Sequence, residues 1–232
     1  MLTHSIAGLK VGIEYKYPRL TRQAAAYVTA PTETDFDIVI ADEILEKTKQ
    51  SNPHLSLEDC EYIQTGAVFY KQLVSFDGML LHASAVIKDG YVYLFSAPSG
   101  TGKSTHTELW LKKFPDARII NDDKPAIRIE GDKINVYGTP WSGKTDLNLN
   151  LCIPIGGICF LERSEENFIN RISSSEAIPL IMNQTVRPRL LKNMDKLLDT
   201  LGKIVENTPV FKMGCNISEE AAVMAYEAMH VK

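Results

Sequence analysis

Apolar and polar positions alternate most regularly in the middle of the chain. Ala83 to Ile87 is an apolar run with β-branched residues, and Tyr91-Val-Tyr-Leu-Phe is a second strand. Asp89-Gly90 between them is a tight hairpin turn signal. A loop over 96–102 leads into a helix from Lys103 to Phe114, stopped by Pro115. Ala117 to Asn121 reads as a short strand that runs into Asp122-Asp123. Ala126 to Ile129 and Lys133 to Tyr137 flank Gly131-Asp132, which predicts another hairpin. Leu147 to Leu151 alternates Leu and Asn at strand period, and Ile155 to Leu161 is an apolar strand. After Ser175 the pattern is helical, over about 175–183, 189–206 and 218–230, with Pro188 near a first turn and Ser218 as N-cap.

The chain before Phe76 is weakly patterned. Lys10 to Tyr15 and Ile38 to Ala41 suggest strands, Asp42 to Gln50 a short helix, and Ser51-Asn-Pro-His a turn. Tyr62 to Phe76 is ambiguous, with its second half read as helix. Two regions follow: a small α+β region at 1–75 and an α/β domain at 76–232. Hairpins on both sides of the central loop point to a mixed, partly antiparallel sheet rather than a sheet of parallel crossovers.

Composition narrows the class. Of the 232 residues 44% are hydrophobic and 23% charged, which is ordinary globular usage. The net charge of −4 argues against a dedicated nucleic-acid binder, whose affinity rests on clustered cations. The longest apolar-looking uncharged run, Leu147 to Leu161, is too short to span a membrane and contains Asn148, Asn150 and Pro154. Met-Leu-Thr-His at the start has no basic or apolar signal region. Cys60, Cys152, Cys159 and Cys215 form no Cys-x-x-Cys pair and read as small buried hydrophobes. The expectation is a cytoplasmic protein, with self-association into a homo-oligomer left open.

The chemistry lies in the loop. Ala97-Pro-Ser-Gly-Thr-Gly-Lys103-Ser104 fits the phosphate-binding pattern with Ala in the first glycine position. Ser99, Gly100, Thr101 and Gly102 let backbone N–H groups curl around phosphate oxygens, and the helix N-terminus adds positive potential. Lys103 supplies a cation for the β/γ-phosphates, Ser104 a hydroxyl for Mg²⁺, and Thr105 follows on the helix. Gly138-Thr-Pro-Trp-Ser-Gly143-Lys144-Thr145 fits the stricter pattern, but Asp146-Leu-Asn-Leu-Asn-Leu after it is not helical, and Pro140 and Trp141 sit where small residues are needed. It reads as a tight surface loop, or as a functional loop with Lys144 facing the phosphates or the acceptor. Asp122-Asp123 ends its strand as a metal-holding aspartate does, and it follows Lys103 closely. The interval between them holds one helix and one turn, which returns the pair to the phosphates.

Leu81-His82-Ala-Ser-Ala, Phe95-Ser-Ala-Pro-Ser-Gly-Thr-Gly-Lys-Ser and Asn121-Asp122-Asp123 together resemble the HPr kinase/phosphorylase and phosphoenolpyruvate carboxykinase superfamily. The match covers about 78–125 and continues more faintly to about 190. The resemblance implies a P-loop fold with a mixed sheet that uses ATP and Mg²⁺. It implies Asp122 as general base on an acceptor hydroxyl, with Asp123 and His82 at the metal and phosphate site. Thr105 replaces the glutamate that follows the loop serine in HPr kinase, and Glu108 comes three residues later. The later Arg-Pro-Gly-Arg-Asn signature is missing; Arg163, Arg171, Arg187 and Arg189 are loose substitutes. The chain is under half the usual carboxykinase length, so oxaloacetate decarboxylation is not expected. The expected activity is ATP-dependent phosphorylation of a hydroxyl on a protein, peptide or small molecule. The competing expectation is a nucleotide-binding regulatory module without transfer. His106 falls on the helix after the loop, at its surface or against the sheet, and His4, His54 and His230 have no motif context.

Overall fold

The computed structural model describes residues 1–188 and 190–231. Arg189, named above among the arginines and as the start of a helix, lies outside the described residues. The chain opens with a hairpin that its weak pattern concealed. Strands β1 (Leu2–Ile6) and β2 (Leu9–Ile13) pair antiparallel across Ala7-Gly8, and both turn residues have positive φ. That geometry matches the twist of the flanking strands. β3 (Phe36–Ile38) adds parallel to β2. Helices α1 (Pro18–Ala24), α2 (Asp42–Ser51) and α3 (Leu57–Leu73) follow the chain around this sheet. α3 takes in the ambiguous segment as far as Leu73, with a 3-10 turn over Val74–Phe76, and it starts earlier than expected because Ser56 and Asp59 form a capping box at its N-terminus.

A larger sheet is built from β4 (Gly78–Leu80), β5 (Ala83–Lys88), β6 (Tyr91–Ser96), β7 (Arg118–Asn121), β8 (Ala126–Glu130), β9 (Lys133–Tyr137) and β10 (Cys152–Arg163). Its order is β4-β8-β9-β10-β6-β5-β7. β6 has β5 antiparallel on one side and β10 parallel on the other, so the sheet is mixed. The two expected hairpins, at Asp89-Gly90 and Gly131-Asp132, are present. β11 (Phe168–Arg171) and β12 (Val210–Cys215) extend the sheet, with β12 parallel to β10.

Helices dominate after Ser175 as expected, with one unforeseen strand, β12, between them. The helices there are α5 (Ser174–Met182), α6 (Leu191–Asn207) and α7 (Glu219–Met229). Ser218 occupies the N-cap of α7, but its hydroxyl accepts from Asn167 Nδ2 at 3.2 Å. Leu147 to Leu151, read above as strand, is an extended segment joined to the sheet by one bridge, Asn148 to Asn121. Its asparagines serve other partners: Asn148 accepts from the Tyr27 hydroxyl at 2.9 Å and Asn150 donates to the Ala26 carbonyl at 3.0 Å. Cys60 and Cys159 are buried, but Cys152 is exposed and Cys215 partly so, because both stand at strand ends.

Alternation along β6 sorts the core. Val92 and Leu94 pack toward α5 and α6, with Ile181, Leu197 and Ile204. Tyr93 and Phe95 pack on the other face, with Trp110 of α4 (Lys103–Lys113) and Ala221, Ala222 and Ala225 of α7. A third cluster joins β1, β2, α3, Tyr137 and Trp141, so the apolar core runs through residue 75 without a break. Among the described residues no helix is long and apolar enough to cross a membrane.

Candidate active site

β6, β7, β10 and β12 run in one direction, and β5 begins where they end. The carboxyl edge therefore collects the loop after β6, the Asp pair after β7 and His82 before β5. Ligands of open α/β sheets bind at that edge.

The loop after β6 turns at Gly100 and Gly102, with φ of +80° and +120°. A Cβ at either would meet nothing within 4 Å, so glycine is required by backbone angle and not by space. Gly102 is the N-cap of α4, which leaves the first amides of that helix without internal partners. Lys103 is 9% exposed, and its Nζ donates to the Ala97 carbonyl at 3.0 Å. Burial lowers the pKa of this ammonium, and the Asp123 carboxylate opposes part of the shift. Arg163, at the end of β10, donates through Nη2 to the Gly100 carbonyl at 2.6 Å and so pins the loop to the sheet. This is a direct role for an arginine that the sequence offered only as a loose substitute.

Ser99, Gly100, Gly102, Lys103, Ser104 and Thr105 line a cleft of about 450 Å³ with His82, Asp122, Asp123, Gly143, Lys144 and Thr145. Thr101 lies instead on an adjoining cleft of about 500 Å³, with Leu109, Arg163 and Ile217. The Gly138–Lys144 loop is not a surface loop over most of its length. Gly138 to Ser142 are buried, and only the stretch from Gly143 reaches the cleft. No helix follows it.

The two aspartates have different partners. Asp122 accepts from the Gly143 backbone N–H and from the Thr145 hydroxyl, one bond to each carboxylate oxygen. Asp123 faces His82 Nε2 at 2.8 Å through Oδ1 and Lys124 Nζ through Oδ2. Burial would raise the Asp123 carboxyl, but the His82 hydrogen bond and the Lys124 charge outweigh it. Together they hold Asp123 well below the usual carboxylate range. His82 is fixed from behind by Gln184, whose Oε1 lies 3.0 Å from Nδ1.

Several supporting residues carry no motif. Asn121 is fully buried; its Oδ1 accepts from the Asp123 and Lys124 amides, and its Nδ2 donates to the Thr139 and Trp141 carbonyls at 3.1 Å. An Asn at a strand end that binds amides two and three residues on is recognisable turn chemistry, so its signal lies in the sequence. Tyr62 and Tyr70 of α3 have no such signal. Tyr62 donates to the Ser142 carbonyl at 2.7 Å, and Tyr70 to the Lys124 carbonyl at 2.5 Å.

His106, on α4, packs on Phe95 and accepts from Trp110 Nε1 at 3.2 Å. Burial pushes its pKa down to about 4. The folded protein therefore keeps it neutral, whereas the unfolded chain protonates it near pH 6.5. Its contribution is complete above that pH and falls as pH drops toward 4. Acidification from pH 7 to 5 should cost about 2 kcal/mol through this group. In urea titrations the stability of His106→Gln should vary less over that interval than that of the wild type.

No family model matches the chain, and no curated protein matches it in sequence. Among solved structures, the HPr(Ser) kinase/phosphatase from Coxiella burnetii is similar at 10% sequence identity and a TM-score of 0.39. That match covers 64% of this chain and 95% of the other.

The donor set can be compared with what a nucleotide and its metal would need. Paired positive-φ glycines, open amides of α4 and the buried Lys103 suit phosphate oxygens. Among the described residues no three His, Cys, Asp or Glu side chains converge as a metal centre. Asp123 and the exposed Ser104 suit Mg²⁺ that arrives with phosphates, since this ion commonly takes one or two carboxylates and keeps phosphate and water ligands.

Proposed function

We propose that this cleft binds a nucleoside triphosphate with Mg²⁺ and transfers the γ-phosphoryl group to a hydroxyl, as an ATP-dependent kinase of the HPr-kinase-like type. The reading rests chiefly on one observation. The glycine loop and Lys103 share a single cleft with Asp122 and Asp123. In this reading the loop is a P-loop. Its amides and those of α4 bind the phosphates, Lys103 neutralises their charge, and Lys144 faces the transferred group. Ser104 and Asp123 would hold Mg²⁺, which would supply positive charge to offset the negative charge of the phosphates. Asp122 orients the acceptor hydroxyl and takes its proton. His82, braced by Gln184, keeps Asp123 in place.

Lys103→Ala should weaken MgATP binding about ten- to a hundredfold, the cost of one charge-assisted contact. Isothermal titration with wild type and variant reads this directly, and equal affinities would remove Lys103 from the phosphate site. A second reading is a nucleotide-binding module without transfer. Its support is that both oxygens of Asp122 are already engaged by the chain itself. MgATP binding with neither transfer nor hydrolysis would favour it.

A further inference from the structure

We propose that Thr145 is a phosphoryl acceptor within the chain, so that the protein phosphorylates itself in cis. The inference rests on the kinase reading above and names a substrate class for it, a threonine hydroxyl on a short loop. Among the described side-chain hydroxyls, Thr145 alone donates to the Asp122 carboxylate. A general base must lie within hydrogen-bond reach of the proton it takes, and this hydroxyl meets that condition. Thr145 is exposed and lines the same cleft as Lys103 and Ser104.

The approach is built into the loop. Gly143 N–H binds the other oxygen of Asp122, which fixes the backbone two residues before Thr145. A Cβ at Gly143 would lie 2.8 Å from Asp122 Oδ2, so no other residue type could come this close without displacing the carboxylate. Asp146 has φ of +53°, and its amide donates to the Gly143 carbonyl at 3.3 Å, which closes the turn behind Thr145.

The step balances without any further reactant. Thr145 Oγ1 bonds to the γ-phosphorus as the bond from that phosphorus to the β,γ-bridging oxygen breaks. The hydroxyl proton passes to Asp122 Oδ2 and then to solvent, and a nucleoside diphosphate leaves. Phosphothreonine there would bring about −1.5 to −2 charges beside two aspartates. It would also remove the proton donated to Asp122, so the modified loop should leave the carboxylate.

The test uses the full chain, MgATP and mass spectrometry of the intact protein and its fragments. The expected result is one phosphoryl group on Thr145, at a rate independent of protein concentration. It should be lost in Thr145→Val and Asp122→Asn and retained on the hydroxyl of Thr145→Ser. A readout without nucleotide checks the geometry: amide hydrogen exchange over 142–146 should be faster in Thr145→Val than in the wild type. Titration of MgATP with the same preparations separates the two claims. Bound nucleotide with Thr145 unmodified, or with phosphate only elsewhere, overturns the inference and leaves the nucleotide site standing. A rate that rises with protein concentration overturns the cis assignment. Unchanged exchange in Thr145→Val overturns the contact with Asp122. No binding at all overturns the kinase reading itself.

Discussion

Asp122→Asn is expected to lower phosphoryl transfer about 10²- to 10⁴-fold, the usual contribution of a positioned proton acceptor, with MgATP affinity retained. The substitution is nearly isosteric, and the site allows it to be conservative. An Asn carbonyl still accepts from the Gly143 amide, and its NH₂ can donate to Thr145 Oγ1 in reverse of the present bond. The loop over 142–146 therefore keeps two anchors, and Asn121 still braces the turn through the Asp123 and Lys124 amides. On the proposed reading, what is lost is the ability to take a proton from an acceptor hydroxyl. Asp123 is a poor substitute, because the His82 hydrogen bond and the Lys124 charge hold its carboxyl well below the usual range and leave it a weak base. Single-turnover transfer from labelled ATP, beside calorimetric titration with MgATP, separates the two quantities. Unchanged transfer in the variant would remove Asp122 as the base.

The segment from Ala83 to Asp123 can be read from sequence because its determinants are local. Alternating apolar residues, Asp89-Gly90, the paired glycines and Pro115 each act within a few residues. The short interval from Lys103 to Asp122 then leaves room for little besides one helix and one short strand. The second glycine-lysine match lacks a helical pattern after it, and α4 is the only helix that either match leads into among the described residues. β1 and β12 escape such reading for the opposite reason. β1 is a half-exposed strand of mixed polarity, and Val210-Phe-Lys-Met-Gly-Cys takes its place through parallel pairing with β10, a partner distant in sequence. Parallel partners supply no turn signal to read. Nor can local pattern show that Tyr62 of α3 reaches Ser142, far along the chain. The consequence is functional: α3, from the weakly patterned N-terminal region, helps hold the loop that holds Asp122.

That dependence makes Trp141→Ala the substitution with the largest expected effect on stability, about 3–5 kcal/mol. Trp141 is 1% exposed. Its ring stacks on Phe69 at 4.8 Å and meets the edge of Tyr70 at 5.8 Å, both from α3. Its Nε1 donates to Thr65 Oγ1 at 3.1 Å. A Cβ at Gly66 would stand 2.9 Å from the indole, so α3 is already as close to the ring as a glycine permits. Helix backbone packed at that distance cannot collapse far into the space left by alanine, and a poorly relaxed cavity is the costly kind. The damage should not stay in the core. The Trp141 carbonyl accepts from Asn121 Nδ2, and the next residue is tied to Tyr62, so both supports of the Asp122 turn would loosen together. The glycine loop, pinned from the far side by Arg163, does not share those supports. Trp141→Ala, assayed well below its melting temperature, should therefore lose transfer while binding MgATP nearly as the wild type does. Trp141→Phe should recover most of the stability because it refills most of the volume. A loss below about 0.5 kcal/mol in urea unfolding of the alanine variant, in the range of an ordinary surface substitution, would show that α3 and this loop are not coupled through the indole.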